Sequence, residues 1–157
     1  MRAIIGTALA TAAAAVVGSM ASRSSIDTWY REIDKPPYVP PDVVFPAAWT
    51  SLYTDIAVTS GRTLDRLREN GESGEARAYV AALATNLALN AGWSWLFFRH
   101  HKLGASALAA AALTASSADL TRRTVAVSPA AGVTLLPYPL WCGFATVMTI
   151  DIWRRNR

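Results

Sequence analysis

Charge is what this chain lacks over most of its length. No Asp, Glu, Lys or Arg occurs in residues 3–21, 78–98, 103–118 or 130–150, and residues 43–61 carry only Asp55. A helix in water needs a polar face recurring every 3.6 residues. Residues 78–98 offer only Tyr79, Thr85, Asn86, Asn90 and Ser94 for one. That sets aside a soluble Ala-rich bundle. At about 1.5 Å per residue, runs of this length reach about 30 Å, the thickness of a bilayer core. The run 103–118 is shorter, and Lys102 and Asp119 at its ends can snorkel to the interface. The sequence therefore predicts an all-α, multi-pass integral membrane protein. It is a single domain over residues 1–157, a bundle of five transmembrane helices at about 3–21, 43–61, 78–98, 103–118 and 130–150. Arg2, the first apolar run and Ser19-Met20-Ala21 also suit a secretory signal. The run exceeds the usual ~7–15 apolar residues of such a signal, which favours a retained helix.

Other scarcities remove whole chemistries. A single cysteine, Cys142, excludes a disulfide framework, and its place in the last apolar run makes it a packing residue. The only histidines, His100 and His101, are adjacent in a short turn and point apart, so no metal site is expected. H-E-x-x-H, Cys-x-x-Cys, a phosphate-cradling glycine loop and G-x-S-x-G are all missing. No Lys/Arg cluster is interleaved with aromatics, so nucleic acid is not an expected partner; membrane lipid is. Lys and Arg divide almost evenly between the two sides. The positive-inside rule then gives no orientation beyond a lean of the W-R-R-N-R tail toward the cytoplasm. Which membrane holds the chain is not legible.

Proline and tryptophan, by contrast, are concentrated. Pro36, Pro37, Pro40, Pro41 and Pro46 lie in K-P-P-Y-V-P-P-D-V-V-F-P just ahead of the second run. Prolines fix φ near −65° and hold their preceding residues extended, which predicts a stiff, polyproline-like strut ending at Asp42 as helix N-cap. Beyond it, Phe45, Trp49, Leu52, Tyr53 and Ile56 share a helical face. So do Asn86, Asn90, Trp93 and Phe97 in the third run, and Tyr138, Trp141, Ala145 and Thr149 in the fifth. Trp29, Trp93, Trp95 and Trp153 suit an interfacial belt. Trp49 and Trp141 lie too deep for one. An unpaired amide in hydrocarbon costs ~2–7 kcal/mol, so Asn86 and Asn90 must bond another helix, a water or a ligand. Aromatic walls with a few placed amides describe a pocket for a flat, largely apolar molecule; core aromatics with interhelical polar bonds are the plainer alternative. Small residues recur every fourth position at Gly6, Ala10, Ala14 and Gly18, and at Ala84, Ala88 and Gly92. Both series suit close helix packing, within the bundle or in a dimer.

Taken in order, W-Y-R-E-I-D-K-P-P-Y-V-P-P (29–41), F-P-A-A-W-T-S-L-Y (45–53), L-N-A-G-W-S-W-L-F-F (89–98), V-S-P (127–129) and P-Y-P-L-W-C-G-F-A-T (137–146) resemble the TspO/MBR family. That family comprises the tryptophan-rich sensory proteins and the translocator protein, or peripheral benzodiazepine receptor. The resemblance implies a five-helix membrane bundle, usually a homodimer, whose first loop is a lid over a site for porphyrin or haem. It requires no cofactor. It places ligand contacts at Trp49, Trp141, Asn86 and Asn90, with Trp29 and Pro40 matching the lid, and the shared helical faces add Phe45, Tyr53, Trp93, Tyr138 and Ala145 as expected ligand contacts. Its activity would be that of a tetrapyrrole sensor or scavenger, with a porphyrin or small-lipid transporter as an alternative. In some bacterial members, light-driven porphyrin degradation is ascribed to the tryptophans matching Trp49 and Trp141, so an enzymatic role is the further alternative. The chain departs from the family at Tyr38, often Trp, at Ser94-Trp95, and at Met148-Thr149-Ile150, where the tyrosine of the proposed sterol motif is missing.

Overall fold

The computed structural model describes residues 2–157, and the described residues form helices and turns with no strand. The elements are α1 (Arg2–Ser22), the short α2 (Trp29–Glu32), α3 (Val44–Glu69), α4 (Ser73–Ser94) running into a π-helical turn (Trp95–Arg99), α5 (Leu103–Val127), α6 (Pro129–Leu135) and α7 (Pro137–Arg155). α1 packs on α3 and α4, α4 on α5, and α5 on α7, while α6 reaches back to α3.

The expected helices are present, but their limits follow capping rather than the absence of charge. α3 continues through the charged segment to Glu69, and Gly71, at φ +76°, ends the run in the left-handed region that a glycine tolerates. α5 continues to Val127, nine residues past the expected end, so the predicted 119–129 connection shrinks to Ser128. That serine caps α6 by accepting from the Ala131 N–H, with Pro129 at the first helical position. The predicted fifth helix is two. Pro137 and Pro139 have no N–H to donate, and the chain breaks at Leu136. By length and composition, α1, α5 and the segment 129–155 are each apolar enough to cross a membrane. α3 and α4 are long enough but richer in Ser, Thr, Asn and charged ends, and fall outside that set.

The proline segment is not the straight strut the sequence predicts. The Val39 N–H bonds the Pro36 carbonyl at 3.2 Å, closing a turn at Pro37–Tyr38, and a second turn joins Val44 to Pro41. Asp42 does not cap α3 either. The N-cap is Val43, in the right-handed helical region and without a side-chain capping bond.

Polarity is arranged inside out. Leu9, Leu108, Leu140 and Val147 are 60–75% exposed, as suits faces turned to acyl chains. Thr11, Thr63, Ser117, Thr121, Thr124 and Thr149 are buried, and each hydroxyl donates to the carbonyl four residues earlier in its own helix. Such bonds let hydroxyl side chains line a lipid-embedded interface without an unpaired donor. The small-residue stripe of α1 is split. Ala14 and Gly18 are buried, whereas Gly6 and Ala10 face outward, as do Ala84 and Ala88 of α4. A four-residue step drifts 40° per repeat on a 3.6-residue helix, so one series cannot stay on one face. The buried line of α1 is instead Ala3, Thr7, Thr11, Ala14, Gly18 and Ala21, at steps of three and four.

Candidate ligand cavity

Four segments converge below the first loop. α1 brings its C-terminal half, α3 its first three turns, α4 its last turn with the π-helical turn and α7 its Met148, and the loop closes over them. Between them lies a cavity of about 430 Å³, within the ~300–1,000 Å³ of ordinary small-molecule sites. Its aromatic wall comprises Tyr30, Phe45, Trp49, Tyr53, Trp93 and Phe97. Helical spacing puts Phe45, Trp49 and Tyr53 on one side, with Trp49 stacked on Tyr53 at 5.4 Å between ring centroids. On the opposite side, Trp93 stacks on Phe97 at 5.4 Å, and the π-helical turn sets Phe97 and Phe98 edge-on at 4.8 Å. Close approach of α1 is permitted by Gly18, where an added Cβ would stand 3.3 Å from the Ser94 hydroxyl.

The loop is pinned at both ends. Ser25 donates to the Phe98 carbonyl, Tyr30 packs against Phe97 and Phe98, and Trp29 lies flat on His101 at 4.0 Å. His101 takes φ +54° to present its ring there. At the other end, the Asn156 side chain pairs reciprocally with the Asp34 backbone, accepting at 3.0 Å and donating at 2.8 Å. The Tyr38 hydroxyl donates to Asp151 at 3.1 Å. Burial pushes the Tyr30 hydroxyl up to about 12, and the charge of Asp42 adds to the shift.

Of the ten residues singled out from sequence, Phe45, Trp49, Tyr53 and Trp93 line the cavity. The other six do not. Trp29 stands on the loop. Trp141 packs edge-on behind Phe45 and Trp49, at 6.0 and 6.5 Å, and its buried indole N–H has no partner among the described residues. Ala145 is half-buried one turn further along α7. Asn86, Asn90 and Tyr138 are fully buried and bond one another. Tyr53 donates to Asn90 Oδ1 at 2.8 Å, Asn90 Nδ2 to the Tyr138 hydroxyl at 3.3 Å, Tyr138 to Asn86 Oδ1 at 2.8 Å, and Asn86 Nδ2 to Ser116 at 3.2 Å. The chain of donors runs from the cavity wall across four helices. Both amides are thus satisfied by protein.

Sequence reasoning missed Ser19, Ser22, Ser94, Asp42, Phe98 and Met148 among the lining residues. Met148 was within reach of the pattern, since it follows Trp141 by seven residues on the face that points inward. Ser19 and Ser22 carry no such mark, because they sit among small residues whose rotation about α1 the sequence leaves open. Away from the cavity, Asp55 accepts from Thr59 one turn along α3. Arg122 and Arg123 both bond Asp119 at 2.7 Å in the C-terminal half of α5.

An apolar exterior, an interior of self-bonded hydroxyls and an aromatic cavity between helices define a helical membrane protein with a small-molecule-sized chamber. The TspO/MBR family model matches residues 6–154, and the chain belongs to that family. It is 33% identical over 153 residues to the tryptophan-rich protein TspO of Archaeoglobus fulgidus, covering 98% of this chain and 96% of that one. It is 29% identical over 144 residues to protein CrtK of Rhodobacter capsulatus, covering 92% and 88%. To the human translocator protein it is 29% identical over 152 residues, covering 97% and 89%.

Proposed function

We propose that this protein binds a tetrapyrrole, porphyrin or haem, within the membrane and acts as its sensor or scavenger. α1, α3, α4 with its π-helical turn, α5 and the α6–α7 pair are then the five spans. The outward small residues Gly6, Ala10, Ala84 and Ala88 form a homodimer seam. The observation that carries the reading is the cavity of about 430 Å³ walled by stacked aromatic pairs on two facing helices. A flat macrocycle gains from ring faces on both sides, and offset aromatic contacts add ~0.5–1.5 kcal/mol each beyond area burial. Trp49 and Tyr53 form one face and Trp93 and Phe97 the other, while Asn90 holds Tyr53 in place. Titrating the purified protein with protoporphyrin while following tryptophan fluorescence tests it. Saturable quenching that weakens in Trp49→Phe is expected; quenching that is unchanged in Trp49→Phe/Trp141→Phe removes the assignment.

One contact favours a second reading, light-dependent breakdown of the bound porphyrin by dioxygen. Trp49 touches the cavity and Trp141 stands edge-on behind it at 6.5 Å, so an indole that gives an electron to an excited macrocycle has a second indole to draw on. Illumination of the aerobic complex distinguishes the two. Loss of porphyrin absorbance faster than that of free porphyrin, abolished in the double tryptophan variant, selects the enzyme; equal bleaching rates select binding alone.

A further inference from the structure

We infer that the end of the molecule away from the aromatic cavity holds a second site, between α1, α3 and α6, for the headgroup of a membrane phospholipid. Arg62 and Arg66 take the phosphate, and Glu69 selects a head that carries a primary ammonium, as in phosphatidylethanolamine. This site stands apart from the aromatic cavity and owes nothing to what that cavity binds.

α1 and α6 both pack on α3, and the gap between them is a pocket of about 520 Å³ with Ile4, Ala130 and Ala131 on its apolar side. Its depth follows from the sequence. The charge-free runs begin at residue 3 in α1 and at residue 130 in α6, and the run in α3, interrupted only by Asp55, ends at residue 61. Gly61 lies directly against Ile4, since an added Cβ would stand 2.6 Å from the Ile4 Cα. Three apolar runs therefore meet their polar ends at this pocket, the level at which a bilayer passes from acyl chain to headgroup. A free solute has no use for the apolar side. A phospholipid has, and Val133, next to Thr134 of the lining, is 62% exposed to meet its chains.

The charges decide which head fits. Arg62 and Arg66 line the pocket one helical turn apart, exposed, and in no ion pair among the described residues. Two guanidiniums so placed repel each other; a phosphate between them removes the repulsion and meets their forked N–H donors. Ser128 adds a donor, because its oxygen accepts from the Ala131 N–H while its own proton has no acceptor among the described residues. The lining hydroxyls of Thr59, Thr63 and Thr134 donate within the protein. Two acids also line the pocket. Asp65 accepts from the Ala3 N–H at 3.2 Å, whereas Glu69 is exposed and in no ion pair among the described residues. Glu69 follows Arg66 by three residues, ~4.5 Å along the axis. A phosphate and an ammonium joined by two carbons match that sequence of charges. A glycerol head brings no cation to Glu69, and a trimethylammonium brings no N–H. The other arginines near this end are placed differently: Arg122 and Arg123 pair with Asp119, and Arg2 and Arg68 line a separate groove against α4.

The test is native mass spectrometry of the full chain in detergent, offered equimolar phosphatidylethanolamine, phosphatidylglycerol and phosphatidylcholine with identical acyl chains. Phosphatidylethanolamine should be retained most. Arg62→Gln/Arg66→Gln should cut its retention about 10-fold or more, the scale of charge-assisted hydrogen bonds lost. Arg62→Lys/Arg66→Lys should restore part of it, since an ammonium keeps the charge without the fork. Glu69→Gln should narrow the ethanolamine-to-glycerol ratio by about 3- to 10-fold, because a facing charge acts chiefly on selectivity. Arg77→Gln, at an exposed arginine of α4 outside the lining, should change nothing. Thermal midpoints in lipid-free detergent should match the parent's, since Arg62, Arg66 and Glu69 have no ion pair to lose. Equal retention of the three lipids, tightest retention of phosphatidylglycerol, an unaltered ratio in Glu69→Gln or an equal loss in Arg77→Gln each overturns the inference. A loss of retention that tracks a lower midpoint makes the arginines structural and also overturns it.

Discussion

Tyr138 joins both interior asparagines, because its one hydroxyl accepts from Asn90 and donates to Asn86. In Tyr138→Phe the Asn86 oxygen and one Asn90 donor lose their partner in a fully buried layer. Each buried polar group so stranded costs about 1–3 kcal/mol. Thermal denaturation in detergent should show a clear drop in midpoint for this change, although Tyr138 does not line the cavity. Trp93→Phe is the control. The buried Trp93 indole N–H has no partner among the described residues, so its removal strands nothing and leaves only the smaller ring to account for. A loss in Trp93→Phe equal to that in Tyr138→Phe would show that ring volume, and not the donor chain, sets the stability of this layer. That Asn86 and Asn90 require partners was legible from the apolar residues around them. Which partners they find was not, because period alone does not set the rotation of α7 against α4.

Between helices, α1 and α3 come close at Gly61, where an added Cβ would stand 2.6 Å from the Ile4 Cα. Backbone cannot yield as a side-chain tip can, so Gly61→Ala must part the two helices. Its thermal midpoint should fall despite the gain of ~1 kcal/mol that Ala brings over Gly inside a helix. Gly6 is the counterpart on the outer side of α1, with nothing within 4 Å of the added atom. Gly6→Ala should leave the monomer's midpoint level or raised. The reverse ranking in a thermal scan would mean that the two helices cross elsewhere. The every-fourth-residue series drew attention to Gly6 and away from Gly61, which stands beside Arg62 at the edge of an apolar run. The same limit governs the helix ends. Apolar runs located every long helix, because burial and lipid both select apolar residues there. Beyond the spans, α3 and α5 continue on charged residues until a glycine or a cap stops them, and that is decided by backbone geometry.

At the scale of the whole molecule, the first loop is held by the last turn of the last helix. Asn156 grips the Asp34 backbone on both its polar atoms, Tyr38 bonds Asp151, and Arg155 reaches Asp151 and Asp34. These contacts are exposed, and each is worth at most about 1 kcal/mol. Their role is therefore to hold the loop in place, with little effect on the fold. Asn156→Ala removes the reciprocal pair and leaves the cavity wall untouched. The stability should stay within ~0.5 kcal/mol of the parent's, as for a surface substitution. Exchange of a bound porphyrin should quicken in both directions, because the loop opens more often while the closed site is unchanged. Stopped-flow quenching would then show faster entry and faster release, with a far smaller change in their ratio. Rates identical to the parent's would mean that the loop stays closed through Tyr30 and Trp29 alone, and that entry proceeds between helices instead of beneath the prolines.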